Sequence, residues 1–208
     1  MPNNFDYVPI KYVQVNGTFS EHTNEAEAEM VLSILDKNIN RLPNGEYPSV
    51  GIATFNIAQR NLIKSKIFER QKFSKFEEFN VKIQELEEKG MFIKNLENIQ
   101  GDERDVIILS TTYGIGKDRK FTQRFGPINH SKGYKLLNVI ITRAKYKVYC
   151  CSSIPDQVFM NYKEYLATEG SNNKRAILYS YLAYCKAVSE CNNEMRDYFG
   201  QTVPLISE

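Results

Sequence analysis

The run Val106-Ile107-Ile108-Leu109-Ser110-Thr111 decides the fold class of this chain of 208 residues. Uninterrupted apolar residues followed by small hydroxyl side chains are typical of a central strand that is covered on both faces. Similar short runs predict further strands at 7–15, 49–54, 91–95 and 146–152. Apolar residues at helical spacing predict helices at 24–38, 57–70 and 74–90, and in the tail from about residue 156. Because strands and helices alternate, we predict an α/β fold with a doubly wound, mainly parallel sheet.

Two local patterns bear on the predicted helices. Asn24 and Glu27 have the spacing of a helix-capping pair. The segment Leu136–Thr142 fits two structures, because Val139-Ile140-Ile141 favours a strand while the spacing of Leu137 and Ile140 fits a helical face. The sequence leaves this segment open.

The composition is that of an ordinary globular domain, with 42% apolar and 25% charged residues. No uncharged stretch approaches the roughly 18 to 20 apolar residues of a membrane-spanning helix, and the first ten residues lack the profile of a signal peptide. We therefore expect a cytoplasmic protein that does not enter a membrane. The four cysteines lack a C-x-x-C spacing and are expected to be reduced, mostly buried thiols. With His22 and His130 as the only histidines, we predict no metal site.

The net charge of +2 is distributed unevenly along the chain. Between Gly116 and Lys147, nine lysines and arginines face one acid, Asp118, so this block carries +8 and the remainder −6. A basic block in an acidic body is expected where polyphosphate or nucleic acid binds. A solvated, lysine-rich loop is the alternative that charge alone leaves open.

Ligands of open parallel sheets bind beyond the carboxyl ends of the strands. We therefore expect site residues in the segments that follow the strands, namely Thr54 to Asn56, Gln100 to Glu103, Ser110 to Thr112, and Ser152 with Ser153. Short polar side chains such as those of Thr54, Asn56, Ser110 and Thr111 suit contacts with the phosphates and sugars of nucleic acid. Capping of the next helix is the alternative for each of them.

A phosphate-binding loop of the form G-x-x-x-x-G-K-[ST] is absent from the sequence. The nearest match, which ends Gly116-Lys117-Asp118, has Thr111 in place of the first glycine and Asp118 in place of the hydroxyl. The acids at 102, 103 and 105 precede a strand, whereas the Mg²⁺-binding acids of ATPases follow one. The chain is therefore not a complete P-loop ATPase.

Two motifs carry a resemblance to a known family. The segment 95–110, with Gln100-Gly101-Asp102-Glu103-Arg104-Asp105 before the strand, resembles motif V of superfamily 1 helicases in the form typical of the RNA-surveillance branch. The segment 137–145, Leu-Asn-Val-Ile-Ile-Thr-Arg-Ala-Lys, resembles motif VI. Weaker matches are to a bacterial subgroup, at 51–59 for motif IV and at 125–129, and to an opening-helix motif at Asn24-Glu25-Ala26.

The resemblance covers residues 7 to about 155 and implies the second, C-terminal RecA-like domain of a helicase, a P-loop NTPase fold without its own P-loop. It also implies that residues 1–155 form this domain, that 156–208 form a helical C-terminal extension or linker, and that the chain is a piece of a longer protein. A helix over 174–189 is expected to expose Ile177, Tyr181 and Leu182 at an interface with another domain.

Site residues follow from the resemblance. Arg143 takes the place of the motif VI arginine that reaches the γ-phosphate, which makes it the implied catalytic residue. Gly101 and Glu103 take the places of motif V residues at the nucleotide, and Gln100 is implied to couple the nucleotide and nucleic-acid sites. Lys135 stands where the family has one of two arginines before Leu-Asn-Val, so it keeps a charge for nucleic acid but not a bidentate fork.

The implied ligands of the whole motor are ATP, Mg²⁺ and single-stranded DNA or RNA, and the implied partner is the N-terminal RecA-like domain of the same parent protein, which holds most of the ATP and Mg²⁺ contacts. On this basis the isolated chain does not turn over ATP. Two alternatives remain. One is a free-standing nucleic-acid-binding adaptor without an ATP cycle, and the other is an unrelated flavodoxin-like enzyme, which leaves the two motifs unexplained.

Overall fold

A computed structural model describes residues 8–99, 101–130, 133–169 and 174–191 of the chain. Six strands are present in it: β1 (Ile10–Gln14), β2 (Thr18–Phe19), β3 (Val50–Thr54), β4 (Phe92–Asn95), β5 (Arg104–Gly116) and β6 (Ala144–Ser153). Strand β5 is the longest and contains the apolar run 106–109, so the central strand is confirmed, although it continues beyond Thr111 to Gly116.

The strands pair in the order β1-β6-β5-β3-β4, and every pair is parallel. The short strand β2 lies off this path and pairs with the end of β5, at Ile115 and Gly116. The predicted parallel sheet is therefore confirmed, with β5 at its centre.

Seven helices are described: α1 (Glu25–Lys37), α2 (Ile57–Gln71), α3 (Glu77–Glu88), α4 (Gly133–Ile141), α5 (Asp156–Phe159), α6 (Tyr162–Glu169) and α7 (Lys174–Ser189). Short 3₁₀ turns lie at 74–76, 96–98 and 126–129. Asn24 caps α1 as predicted, because its side-chain oxygen accepts from the backbone N–H of Glu27 at 3.1 Å. The reciprocal half of the capping pair was wrong, since the backbone N–H of Asn24 donates instead to Gln59.

The two faces of the sheet are covered by different helices. Val106 and Ile108 of β5 pack with α1, α2 and α3, while Ile107 and Leu109 pack with α4, α5 and α7. This alternation follows from the period of two residues in a strand, which sends successive side chains to opposite faces. The arrangement is the doubly wound α/β fold that the sequence predicts.

The ambiguous segment is helical, because Leu136–Ile141 lies within α4. Leu137 and Ile140 are buried, while Asn138 and Ile141 are exposed, so the helical spacing rather than the β-branched composition describes this segment.

The expectation of an exposed interface on α7 was wrong. Tyr181 and Leu182 are buried and Ile177 is half-buried, all against the core that contains Leu109 of β5 and Cys150 of β6. Helical periodicity identifies an apolar face but not its partner, and here that partner is the sheet itself. The division of the chain at residue 155 stays a prediction.

Cys150, Cys151 and Cys185 are free and buried, and Cys191 is free and exposed, as expected of mostly buried thiols. None of the helices within the described residues is long and apolar enough to span a bilayer. The same residues contain no cluster of three or more His, Cys, Asp or Glu side chains arranged to hold a metal ion.

Candidate nucleotide and nucleic-acid sites

The predicted site residues lie at two opposite edges of the sheet. Strand β5 begins at Arg104, so Gly101 and Glu103 precede it at the amino edge. Thr54 is the last residue of β3, and Ser110 of β5 pairs with it at the carboxyl edge of the sheet. The expectation that all of these residues share the carboxyl edge was therefore wrong, because the chain crosses back between β4 and β5 to keep the strands parallel.

The amino edge contains the residues assigned to the nucleotide. Gly101 adopts a φ of +86°, a left-handed conformation that favours glycine, and a Cβ placed on it would meet no atom within 4 Å. Glu103 is exposed beside it. This stretch of backbone is therefore open to a ligand. Gln100, the third residue predicted here, lies outside the described residues.

Arg143 lies at the same edge, between α4 and β6. Its carbonyl oxygen accepts from the backbone N–H of Arg104 at 2.9 Å, which joins the start of β6 to the start of β5. Its half-buried guanidinium donates through Nε to the carbonyl of Val139 at 3.0 Å and through Nη2 to the hydroxyl of Thr142 at 3.2 Å. The side chain is thus held at the C-terminal end of α4 rather than turned into the core.

The acids near this edge are engaged with other groups. Asp102 pairs with Lys94, and this hydrogen bond, together with the charges of Arg104 and Arg143, lowers the pKa of its carboxyl group. Asp105 accepts from both the backbone N–H and the hydroxyl of Ser49 at 2.8 Å. Both carboxylates serve local structure, so the described residues assemble no magnesium site here.

At the carboxyl edge, Thr54 and Asn56 serve the start of α2. The Asn56 side chain accepts from the backbone N–H of Gln59 at 2.8 Å, which is the capping role that the sequence left open. Its amide donates to the carbonyl of His22 at 3.0 Å, and the hydroxyl of Thr54 donates to the carbonyl of Asn56 at 2.8 Å. Asn56 is half-buried and Thr54 is buried.

Ser110 and Thr111 are buried, and their hydroxyls donate to the carboxylate of Glu27 at 2.6 and 3.3 Å. The hydroxyl oxygens of Thr111 and Ser152 also lie within hydrogen-bond distance, 3.0 Å apart. A contact between either residue and nucleic acid stays a prediction, and it requires these hydrogen bonds to be rearranged.

Glu27 is the residue of this edge that sequence analysis missed. Its two carboxylate oxygens also accept from the backbone N–H groups of Thr112 and Ser153, both at 2.7 Å. Complete burial raises the pKa of Glu27 to about 7, although the hydrogen bonds it accepts from Ser110, Thr112 and Ser153 act in the opposite direction. The available signal was its position one turn before Val31 on the apolar stripe of α1, where a carboxylate requires buried partners.

The basic block contains an exposed turn at the end of β5. The backbone N–H of Gly116 donates to the carbonyl of Lys120 at 2.8 Å, and Ile115 bridges Phe121. We call residues 117–120 the basic turn. Lys117, Arg119 and Lys120 are exposed there, and none of them forms an ion pair with a residue that the structure describes.

Two other residues of this block have different environments. Phe125 is fully buried against Tyr113 and Tyr179, so it belongs to the core. Lys135 is exposed in the first half of α4, and its contact with nucleic acid stays a prediction. Lys132 lies outside the described residues.

Comparison with known proteins gives a family match over most of the chain. A model of the AAA domain family AAA_12 matches residues 7–154. This range begins before β1 and ends after β6, so it includes both edges of the sheet described above.

Two relatives match a similar range. The chain is 32% identical over 183 residues to the uncharacterized ATP-dependent helicase MG140 of Mycoplasma genitalium. It is 31% identical over 188 residues to the homolog of that protein in Mycoplasma pneumoniae. The matches cover 86% and 88% of this chain but only 15% of each relative. The chain therefore spans a small part of the length of these two relatives.

Proposed function

Because this chain belongs to the AAA_12 family of AAA domains, we propose that it is the second, C-terminal RecA-like domain of a superfamily 1 ATP-dependent helicase or translocase. The family match does not specify which domain of the parent protein this is, the class of helicase or the roles of individual residues. We propose these three points. The names of the two relatives support the ATP-dependent helicase activity of the parent protein.

One observation carries the proposal: Arg143 and the open turn at Gly101 lie at the same edge of the sheet. The hydrogen bond between Arg104 and Arg143 holds the starts of β5 and β6 together, so residues far apart in sequence flank one surface. A partner domain that carries a phosphate-binding loop then faces this surface with the nucleotide between the two domains.

Arg143 acts on the transferred phosphoryl group. A guanidinium presents donors in a planar fork that matches phosphate oxygens, and its charge is insensitive to pH. Placed across the domain interface, it stabilises the negative charge that develops during hydrolysis, an effect of about 10³ to 10⁵ in rate for arginine fingers. The bonds to Val139 and Thr142 orient the side chain before the domains close.

Gly101 and Glu103 bind the sugar side of the nucleotide. The absence of a side chain at Gly101 lets a ligand approach the backbone closely. The exposed carboxylate of Glu103 then accepts hydrogen bonds from ribose hydroxyls. Gln100 is assigned the coupling role that its position in the motif implies.

The carboxyl edge binds the nucleic acid strand. Asn56 and Lys135 offer polar or charged contacts to the nucleic-acid backbone, and the basic turn adds three cations that have no ion-pair partner among the described residues. A contact made by the buried Thr54 requires its hydrogen bond to Asn56 to be rearranged. Two ligands at opposite edges of one domain allow the motor to translate closure around the nucleotide into movement along a strand. Ser110 and Thr111 also contact the strand if their hydrogen bonds to the carboxylate of Glu27 are broken.

The residues of the amino edge fit a nucleotide, because an open glycine turn and a half-exposed arginine lie together there. They do not form a site for Mg²⁺, since Asp102 and Asp105 are bound by Lys94 and Ser49. When bound, ATP supplies the phosphoanhydride bond whose cleavage drives the cycle. We assign its triphosphate and Mg²⁺ to the N-terminal RecA-like domain of the parent protein.

The experiment compares ATP hydrolysis by the parent protein with that by the 208-residue chain. We expect single strands to stimulate hydrolysis by the parent protein and the isolated chain to hydrolyse no ATP. Hydrolysis by the isolated chain, or a parent protein that binds single strands without any ATPase activity, contradicts the proposal. The second result supports the adaptor function instead.

A further inference from the structure

We infer that Glu27 is a positioning residue for the basic turn. The inference rests on the proposed function in one respect only, namely that the basic turn contacts a single strand. The position of the turn itself follows from the hydrogen bonds of Glu27 and the backbone of β5.

Strand β5 changes course just beyond Ser110. Ser110 pairs with Cys151 and Gly114 pairs with Ser153, so an advance of four residues along β5 matches an advance of two along β6. Extra residues of this kind form a bulge, which bends a strand and aims the segment that follows it. The segment that follows ends in the basic turn.

Thr112 is the strained residue of this bulge. Its φ of +72° lies in the left-handed region, which disfavours residues with a side chain and β-branched ones most of all. Its hydroxyl is buried and has no hydrogen-bond partner among the described residues. Strain of this type persists only where neighbouring groups hold the backbone in place.

Glu27 is the group that holds it. One carboxylate oxygen accepts from the backbone N–H of Thr112 at 2.7 Å and from the hydroxyl of Ser110 at 2.6 Å. The other accepts from the backbone N–H of Ser153 at 2.7 Å. A single side chain from α1 therefore fixes the bulge of β5 and the end of β6 together.

The bulge and the turn are connected by tight packing. A Cβ on Gly114 would lie 2.8 Å from the carbonyl oxygen of Gly17 and 2.9 Å from Cβ of Ser153. Beyond Gly114, Ile115 and Gly116 pair with Thr18 and Phe19. A shift of the bulge is therefore transmitted to Gly116, whose N–H closes the basic turn.

Glutamine at position 27 breaks this arrangement with almost no change in shape. Its single carbonyl oxygen satisfies one of the two backbone N–H groups, and its NH₂ faces the other. Leaving a buried N–H without an acceptor is costly, and in Glu27→Gln we expect the left-handed Thr112 to relax. Glycine at position 112 adopts the left-handed conformation without this strain, so Thr112→Gly in the same chain restores the bulge.

The experiment measures amide hydrogen exchange at Gly116 and Arg119, together with binding of a fluorescent oligothymidylate and an oligouridylate of equal length. In Glu27→Gln we expect the protection of both amides to fall by about tenfold or more and both oligonucleotides to bind several times more weakly. In Glu27→Gln/Thr112→Gly we expect protection and binding to return. Asp105→Asn, which alters a carboxylate with similar bonds at the opposite edge, is the control and leaves the turn unchanged.

Unchanged protection of Gly116 and Arg119 in Glu27→Gln overturns the inference, and so does a double variant that remains unprotected. If Glu27→Gln does not fold, folding of the double variant supports the inference, and failure of both variants overturns it. If protection falls while oligonucleotide binding stays the same, Glu27 still positions the turn, and the role of the turn in strand binding is wrong.

Discussion

The backbone N–H of Arg104 donates to the carbonyl oxygen of Arg143 at 2.9 Å, and this hydrogen bond joins the two segments that carry the helicase resemblance. Each segment contains the start of a strand, so the bond aligns the starts of β5 and β6. The surface that we assign to the nucleotide therefore depends on strand register as much as on the side chains themselves.

Gly101→Ala tests whether a ligand approaches this surface. We expect a stability loss of about 1 to 2 kcal/mol, because alanine is strained at a left-handed φ, and a clear loss of nucleotide affinity in the parent protein. Gly45→Ala is the matched control, since Gly45 has a φ of +82° and equally empty space around it. Equal nucleotide affinities of the two variants, measured by titration with a fluorescent ATP analogue, would falsify the assignment.

Removing the charge of the basic turn is expected to weaken the salt dependence of strand binding. Replacing Lys117, Arg119 and Lys120 with glutamine removes three cations, and each phosphate contact with a single strand contributes about 0.7 to the slope of log affinity against log salt. We predict a slope that is smaller by about 2 if all three contact phosphates. The measurement is a set of binding isotherms at several salt concentrations.

The control replaces Lys64, Lys72 and Lys75, which are exposed along and just beyond α2, with glutamine. It changes the net charge by the same amount and leaves the slope unaltered. A slope that decreases equally in both variants would indicate binding through net charge alone.

Glu27 is expected to make stability fall with rising pH. Its pKa is about 7 in the folded protein, above its ordinary value of 4.5, so the folded state holds the proton more tightly. The contribution is fully present below about pH 4.5 and is lost as the pH rises through about 7. At about 1.4 kcal/mol per pKa unit, the loss is roughly 3 kcal/mol.

The measurement is the free energy of unfolding of the wild type minus that of Glu27→Gln, taken at several pH values between 4 and 8. Subtraction removes the titration of groups that both proteins share. A difference that rises with pH, or stays constant, rules out the raised pKa.

Leu182→Ala tests whether the C-terminal helix belongs to the core of this domain. Leu182 is fully buried on the face of the sheet that includes Leu109, and we expect its truncation to cost about 2 to 5 kcal/mol of stability. Leu42→Ala makes the same chemical change at a side chain that is 44% exposed and is expected to cost about 0.5 kcal/mol or less. Urea denaturation of both variants gives the comparison, and similar losses would place α7 outside the core.

The sequence predicted the elements of the fold better than their mutual arrangement. The apolar run 106–109 identified the central strand because complete burial leaves a continuous pattern. Burial of Tyr181 and Leu182 could not be predicted, since the period of a helix does not say which surface covers it. The direction of β5 determines which residues lie at the amino edge and which lie at the carboxyl edge. That direction follows from the chain crossing back between β4 and β5.

The residues of the candidate site also differ in how well the sequence predicts them. Arg143, Gly101 and Glu103 are predicted through short motifs, and they lie just before β5 and β6. Glu27 was assigned to a helix cap because the spacing from Asn24 is local, whereas its carboxylate binds residues more than 80 positions away. Local sequence spacing does not reveal a contact between residues that are so far apart in the chain.

The central claim is that Arg143 serves a nucleotide bound between this domain and another, and one measurement tests it most directly. ATP hydrolysis stimulated by single strands is measured in the full-length parent protein with Arg143→Ala and, as control, with Lys145→Ala, which removes an exposed cation two residues away. We predict a rate lower by about 10³-fold or more for Arg143→Ala with strand binding retained, and a nearly normal rate for Lys145→Ala. Equal rates for the two variants would contradict the account.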